Sequence, residues 1–220
     1  MAQKERVTMN IKLYYAPTTC ALVPWVNLTE AGAEFETVAL NLRKAQHLSN
    51  EYLAINPKHK VPMLVVDGEK LTENVAIQQW IARAFPASKL LPDAPMRQLQ
   101  AISLMSWFGS GIHPHLARIN SPAKFCDVPG AEASVKALAN DQLQEAFGIA
   151  DNMLAGREYF VDHFTAVDSY FYWCFRRATQ FELPLAHFSN CQAHFARLGQ
   201  RPSVQKLLAF EKQTLAGFAA

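Results

Sequence analysis

The stretch "NPKHKVPMLVVDGEKLTENVAIQQWIA", Asn56 to Ala82, decides the fold. Its breaker Asn56-Pro57 stops whatever precedes it, and "VPMLVV" (Val61 to Val66) is a run of β-formers closed by the turn pair Asp67-Gly68. The short "KLT" beyond the turn fits a further strand. The period then changes: in "ENVAIQQWIARAF", Val75, Ile77, Ile81 and Phe85 recur at near-helical spacing until Pro86. Upstream, "NIKLYYA" (Asn10 to Ala16) reads as a strand running into Pro17. A helix follows from about Cys20 to Ala31, apolar at Leu22, Val23, Val26 and Leu28, with Gly32 as its stop. "FETVAL" (Phe35 to Leu40) is another strand, and residues 42–55 read as helical or irregular. The order β-α-β-α-β-β-α predicts a small α/β domain over residues 10–85.

Residues 86–95, "PASKLLPDAP", hold three prolines, which resist helix continuation and predict a linker. Beyond it the pattern is helical. Segments near 96–120, 131–155, 165–181 and 202–216 carry long apolar stripes, with turn signals at Pro129-Gly130, Gly156 and Pro202. The second domain, residues 96–220, is therefore expected to be an all-α helical bundle.

Composition narrows the function. A chain of 220 residues, 50% hydrophobic and 18% charged, can bury a sizeable core. Its formal charge of +2 comes without any Lys/Arg run that would track phosphates, so nucleic acid is not expected as a partner. No apolar run approaches the ~20 residues that span a bilayer, and "MAQKERVTMN" is polar, so a cytoplasmic protein without a membrane partner is expected. Cys20, Cys126, Cys174 and Cys191 lie far apart, with neither C-x-x-C nor zinc-type His spacing, so no metal site and no disulfide framework are expected. The sequence leaves open whether Met9 is the true start or residues 1–9 form a short arm.

Two stretches carry candidate chemistry. In "YYAPTTCALVP" (Tyr14 to Pro24), Cys20 stands at a strand–helix junction, where unpaired N–H groups and the helix dipole favour the thiolate. The alternative is a buried thiol acting as a small hydrophobe. In the second stretch, a cis Val61-Pro62 bond would turn the N–H and C=O of Val61 toward a peptide-like ligand. Glu73 and Asn74 stand at a helix start, where N–H groups take a carboxylate and the Glu pairs with an ammonium, which together suit a zwitterionic amino-acid group. The alternative is that Thr72 is an N-cap and Glu73 a favourable first-turn charge.

"KLYYAPTTCALVP", followed some forty residues later by "NPKHKVPMLVVDGEKLTENVAI", resembles the glutathione transferases, and the cysteine resembles that of their bacterial beta class. "WFGSGIHPHL" (Trp107 to Leu116) and "FTAVDSYFYW" (Phe164 to Trp173) match family landmarks in position. The resemblance implies a thioredoxin-like first domain in which Val61 precedes a cis proline and Glu73 with Asn74 holds the γ-glutamyl end of glutathione. It further places Cys20 beside the glutathione sulfur, His113 facing the same region from the helical domain, and Lys60 against the glutathione backbone. It implies a homodimer that conjugates glutathione, as co-substrate, to a small apolar electrophile, with disulfide reduction through Cys20 as a second activity. A non-catalytic glutathione-binding scaffold is the alternative. By position, Trp107, Phe108 and Ile112 are expected to line the electrophile site, and Lys44 is the nearest match to a family loop lysine. Departures are Thr18 where the family often has glycine, Asn74 in place of serine, and Ser110-Gly111 without a polar or acidic pair.

The remaining motifs read as structural. Thr165-Ala-Val-Asp168 is a capping box, a folding device. Tyr170 to Trp173 reads as core on a buried helix, and His115, two residues from His113, falls on a different helix face.

Overall fold

The computed structural model describes residues 9–219, so the question of an arm ahead of Met9 falls outside the described residues. A four-stranded sheet is formed by β1 (Ile11–Tyr15), β2 (Glu36–Ala39), β3 (Met63–Val66) and β4 (Glu69–Thr72). Its order is β2-β1-β3-β4, with β2 parallel to β1 and the other pairs antiparallel, a thioredoxin-like mixed sheet. Alternation sets the register: Ile11, Leu13 and Tyr15 are buried, while Lys12 and Tyr14 between them are half-buried. Asp67 and Gly68, both at positive φ, make the β3–β4 turn.

Helix α1 (Leu22–Glu30) is the hub of the molecule. Every residue from Leu22 to Leu28 is buried, because the helix is covered by α3 (Asn74–Ala84) as well as by helices from the other half of the chain. Pro24 is tolerated in the first turn, where its missing N–H has no helical partner to lose. Residues 42–55 resolve into a 3₁₀ turn, Gln46–Leu48, and the short α2 (Asn50–Ile55), capped by the Ser49 hydroxyl accepting from the Tyr52 N–H. After the proline-rich stretch the chain is helical: α4 (Pro95–Trp107), α5 (His113–Asn120), α6 (Glu132–Met153), α7 (Ala166–Gln180), α8 (Ser189–Gly199) and α9 (Pro202–Ala219).

Two expectations are corrected. The helix read over 96–120 is broken by a π-helical turn, Phe108–Ile112, between α4 and α5. The indole of Trp107 lies so close over Gly111 that a Cβ there would meet it at 2.7 Å, and Pro114 restarts the helix. Helix α8 had no counterpart in the sequence reading. Its buried stripe is Cys191, His194 and Leu198, with Phe195 half-buried beside it, spaced as a helix face but short and interrupted by a histidine. The capping box at α7 is formed: the Thr165 N–H donates to Asp168 Oδ2 at 2.8 Å. The Asp168 carboxylate also takes the Phe160 N–H and pairs with buried His194 at 3.0 Å, so the motif is structural, as expected.

Helix α9 closes back onto α1. Arg201 at its start bonds Glu30 through Nε at 3.0 Å and Nη2 at 2.8 Å, and Ser203 shares the same carboxylate.

Candidate functional site

The turn ahead of Val61 is built by Asn56. Its side chain accepts from the Lys58 N–H at 3.1 Å and donates to the Lys60 carbonyl at 2.8 Å, and the Tyr52 hydroxyl donates to that same carbonyl. The Val61-Pro62 bond is cis, and the N–H of Val61 has no hydrogen-bond partner among the described residues. Its carbonyl accepts from the Cys20 thiol at 3.6 Å. One turn of chain thus presents an open backbone donor beside a cysteine from the opposite strand end.

Cys20 does not open α1. It sits in the turn before it, two residues ahead of Leu22 and only 8% exposed. Its carbonyl accepts from the Asn74 amide at 2.9 Å. Burial pushes the thiol up to about 12, against smaller opposing contributions from hydrogen bonds. The expected depressed thiol is therefore overturned: desolvation outweighs the favourable N–H groups, and the unliganded cysteine is a thiol.

Glu73 follows β4 and precedes α3 with φ +68, a backbone conformation uncommon for a residue with a side chain. Its carboxylate is exposed and lies 2.7 Å from Lys58 Nζ, which also reaches the Thr72 hydroxyl. The side chain of Asn74 is committed inward, donating to Cys20 and accepting from Gln78 Nε2 at 3.0 Å, with Asn27 beyond it. What remains free at this helix start is backbone: the N–H groups of Asn74, Val75 and Ala76 have no partner among the described residues.

The helical half supplies a third wall. The His113 ring packs on Trp173 with centroids 4.4 Å apart, and burial followed by the nearby Lys60 charge lowers its pKa to about 4. The ring is neutral near pH 7. The phenol of Tyr170, 3% exposed, lies where a Cβ on Gly109 would meet it at 3.2 Å, and it is raised out of the titrating range, first by burial and then by Cys20 and other nearby acidic groups. Phe108 and Ile112 are fully buried core and line nothing; of the three expected electrophile contacts only Trp107 is half-buried. Lys44 is exposed, and its N–H serves the Asn41 side chain.

Several groups had no local signal. The Thr18 N–H donates to Glu211 Oε2 at 2.8 Å, Tyr15 donates its hydroxyl to the same oxygen at 3.0 Å, and Arg176 pairs with that carboxylate. The two contacts from Tyr15 and Thr18 join residues more than 190 positions apart in the chain, and no motif spacing could have announced them.

A family model for the glutathione S-transferase N-terminal domain matches residues 9–83. The glutathione S-transferase GstA of Escherichia coli O157:H7 is 31% identical over 205 residues, covering 91% of this chain and 98% of that protein. A sphingomonad glutathione S-transferase complexed with glutathione is similar with TM-score 0.81 and 32% identity, over 91% of this chain and 98% of its own. A glutathione-S-transferase from Xylella fastidiosa reaches TM-score 0.87 at 26% identity, over 92% of this chain and 99% of its own.

Proposed function

The chain belongs to the glutathione S-transferase family, and from that premise we propose that it conjugates the thiol of glutathione to small apolar electrophiles. The observation that carries this reading is the meeting of Cys20, Val61 and Asn74, with S···O at 3.6 Å and N···O at 2.9 Å, which leaves the Val61 N–H open. An extended tripeptide fits that arrangement. Its γ-glutamyl carboxylate lies on the free N–H groups of α3, its ammonium on Glu73, and its cysteinyl backbone against Val61. Lys60, next to Val61 in the chain, contacts the glutathione backbone. The α/β half, residues 10–85, holds glutathione, and the helical half, residues 96–220, shapes the electrophile site around Trp107.

In the reaction the glutathione S–H gives its proton to solvent. The sulfur lone pair forms the S–C bond, and the leaving group departs with its electrons. Neutral His113 accepts a hydrogen bond but, at about 4, does not retain a proton near pH 7. Cys20, held as a thiol, donates a hydrogen bond to the ligand sulfur rather than attacking. Disulfide reduction through Cys20 is the lesser activity, because it needs the thiolate that burial disfavours.

Turnover of chlorodinitrobenzene with glutathione tests the reading. Rate enhancement retained within about tenfold in Cys20→Ala is expected, since a single hydrogen bond is at stake. Glutathione binding without turnover favours a scaffold instead. Met96 and Leu99 are exposed on α4, apolar surface suited to a second copy, and a homodimer predicts sedimentation near twice 24.6 kDa. The four cysteines are free, which suits the reducing cytoplasm.

A further inference from the structure

Thr18 has φ +64, in the left-handed region where a β-branched side chain is a true outlier. Local chain closes the turn around it: Thr19 donates to the Ala16 carbonyl through its N–H at 3.3 Å and its hydroxyl at 2.7 Å. The two backbone polar groups of Thr18 itself are both taken by the helical half. Its N–H donates to Glu211 Oε2 at 2.8 Å, and its carbonyl accepts from Trp173 Nε1 at 3.2 Å. Glu211 is 4% exposed, receives the Tyr15 hydroxyl, and is paired with Arg176. Trp173 is 3% exposed and braced against His113.

We propose that the Cys20 turn is fastened from the far end of the chain, with Glu211 and Trp173 as positioning residues that hold Thr18 left-handed and thereby keep the Cys20 thiol turned in against Val61. Left to itself, a threonine prefers a right-handed backbone by a factor of about five to thirty. Relaxing Thr18 rotates the next peptide, and Cys20, two residues on, leaves the Val61 carbonyl and meets solvent. The two side chains that prevent this lie on α7 and α9, so the helical half sets the accessibility of the thiol. The inference concerns the unliganded protein and stands whether or not glutathione is the ligand.

The test is the rate of Cys20 alkylation by iodoacetamide at fixed pH, read peptide by peptide by mass spectrometry, with buried Cys174 and Cys191 as monitors of general loosening. Glu211→Gln is expected to speed Cys20 about tenfold and Trp173→Phe several-fold, with Cys174 and Cys191 unchanged. Adding Thr18→Gly to either variant should bring the rate back to within about threefold of the unsubstituted protein, because glycine holds a left-handed backbone unaided. Trp173→Phe removes one N–H donor and keeps the ring, so it carries the test if Glu211→Gln fails to fold. Unchanged Cys20 rates in the folded variants, a rise that Thr18→Gly does not reverse, or a parallel rise at Cys174 and Cys191 would each overturn the proposal.

Discussion

The two ends of the candidate site differ in how they treat charge. At the α3 end, Lys58 and Glu73 keep 56% and 70% of their side chains in solvent and meet as an ion pair above open helix N–H groups. At the Cys20 end, the thiol and the Tyr170 phenol are almost sealed and His113 is half-buried; burial drives all three toward their neutral forms. The open end suits the charged termini of a ligand, because its partners stay ionised and can exchange one ion pair for another. The sealed end suits uncharged groups, because burial there penalises the charged form of the thiol, the phenol and the imidazole alike.

The largest expected effect separates core from pocket at the sealed end. Phe108 is fully buried among Phe160, Tyr170 and Phe171, so Phe108→Ala should cost about 3–5 kcal/mol in urea denaturation. A loss under about 1 kcal/mol with a raised electrophile KM would restore Phe108 as a pocket residue.

A smaller effect is expected from His113, whose folded pKa of about 4 lies below its unfolded value. Its neutral ring contributes stability that is whole above about pH 6.5 and is lost as pH falls from there toward 4, roughly 3 kcal/mol in all. Denaturation midpoints of the protein and of His113→Gln, compared across that range, should diverge. Parallel curves mean that the ring is already solvated.

The smallest effect belongs to the open end. Glu73→Gln should weaken glutathione binding about tenfold, or about 1.4 kcal/mol, by calorimetry, the low side for a charge-assisted contact because Lys58 already shares the carboxylate. Unchanged affinity with an intact fold removes Glu73 from the site.

The same contrast explains what the sequence disclosed. The open end lies within one stretch: the breaker Asn56-Pro57, the two paired strands, the Asp67-Gly68 turn and the helix start at Asn74 are all local, and each fell within two residues of its expected place. The first-strand and first-helix pattern was legible for the same reason. The sealed end is assembled from Cys20, His113, Tyr170, Trp173 and Glu211, brought together by tertiary packing, and its electrostatics follow from burial that no spacing records. Cys20 shows the consequence. A helix-start argument fixed the direction of its pKa shift from neighbours in the chain, while its real surroundings are built by residues distant in sequence, Val61 and Asn74 among them. Asn74 was read as facing a ligand, yet its amide is held by Cys20 and Gln78.

The most direct measurement is the ionisation of Cys20 itself, followed as thiolate ultraviolet absorbance against pH in the unliganded protein, with Cys20→Ala subtracted. A sealed, neutral end predicts no difference signal below about pH 10 and a rise toward the value of about 12 set by burial. A step in the difference signal below about pH 8 would mean a stabilised thiolate, and the contrast between the two ends of the site would be wrong.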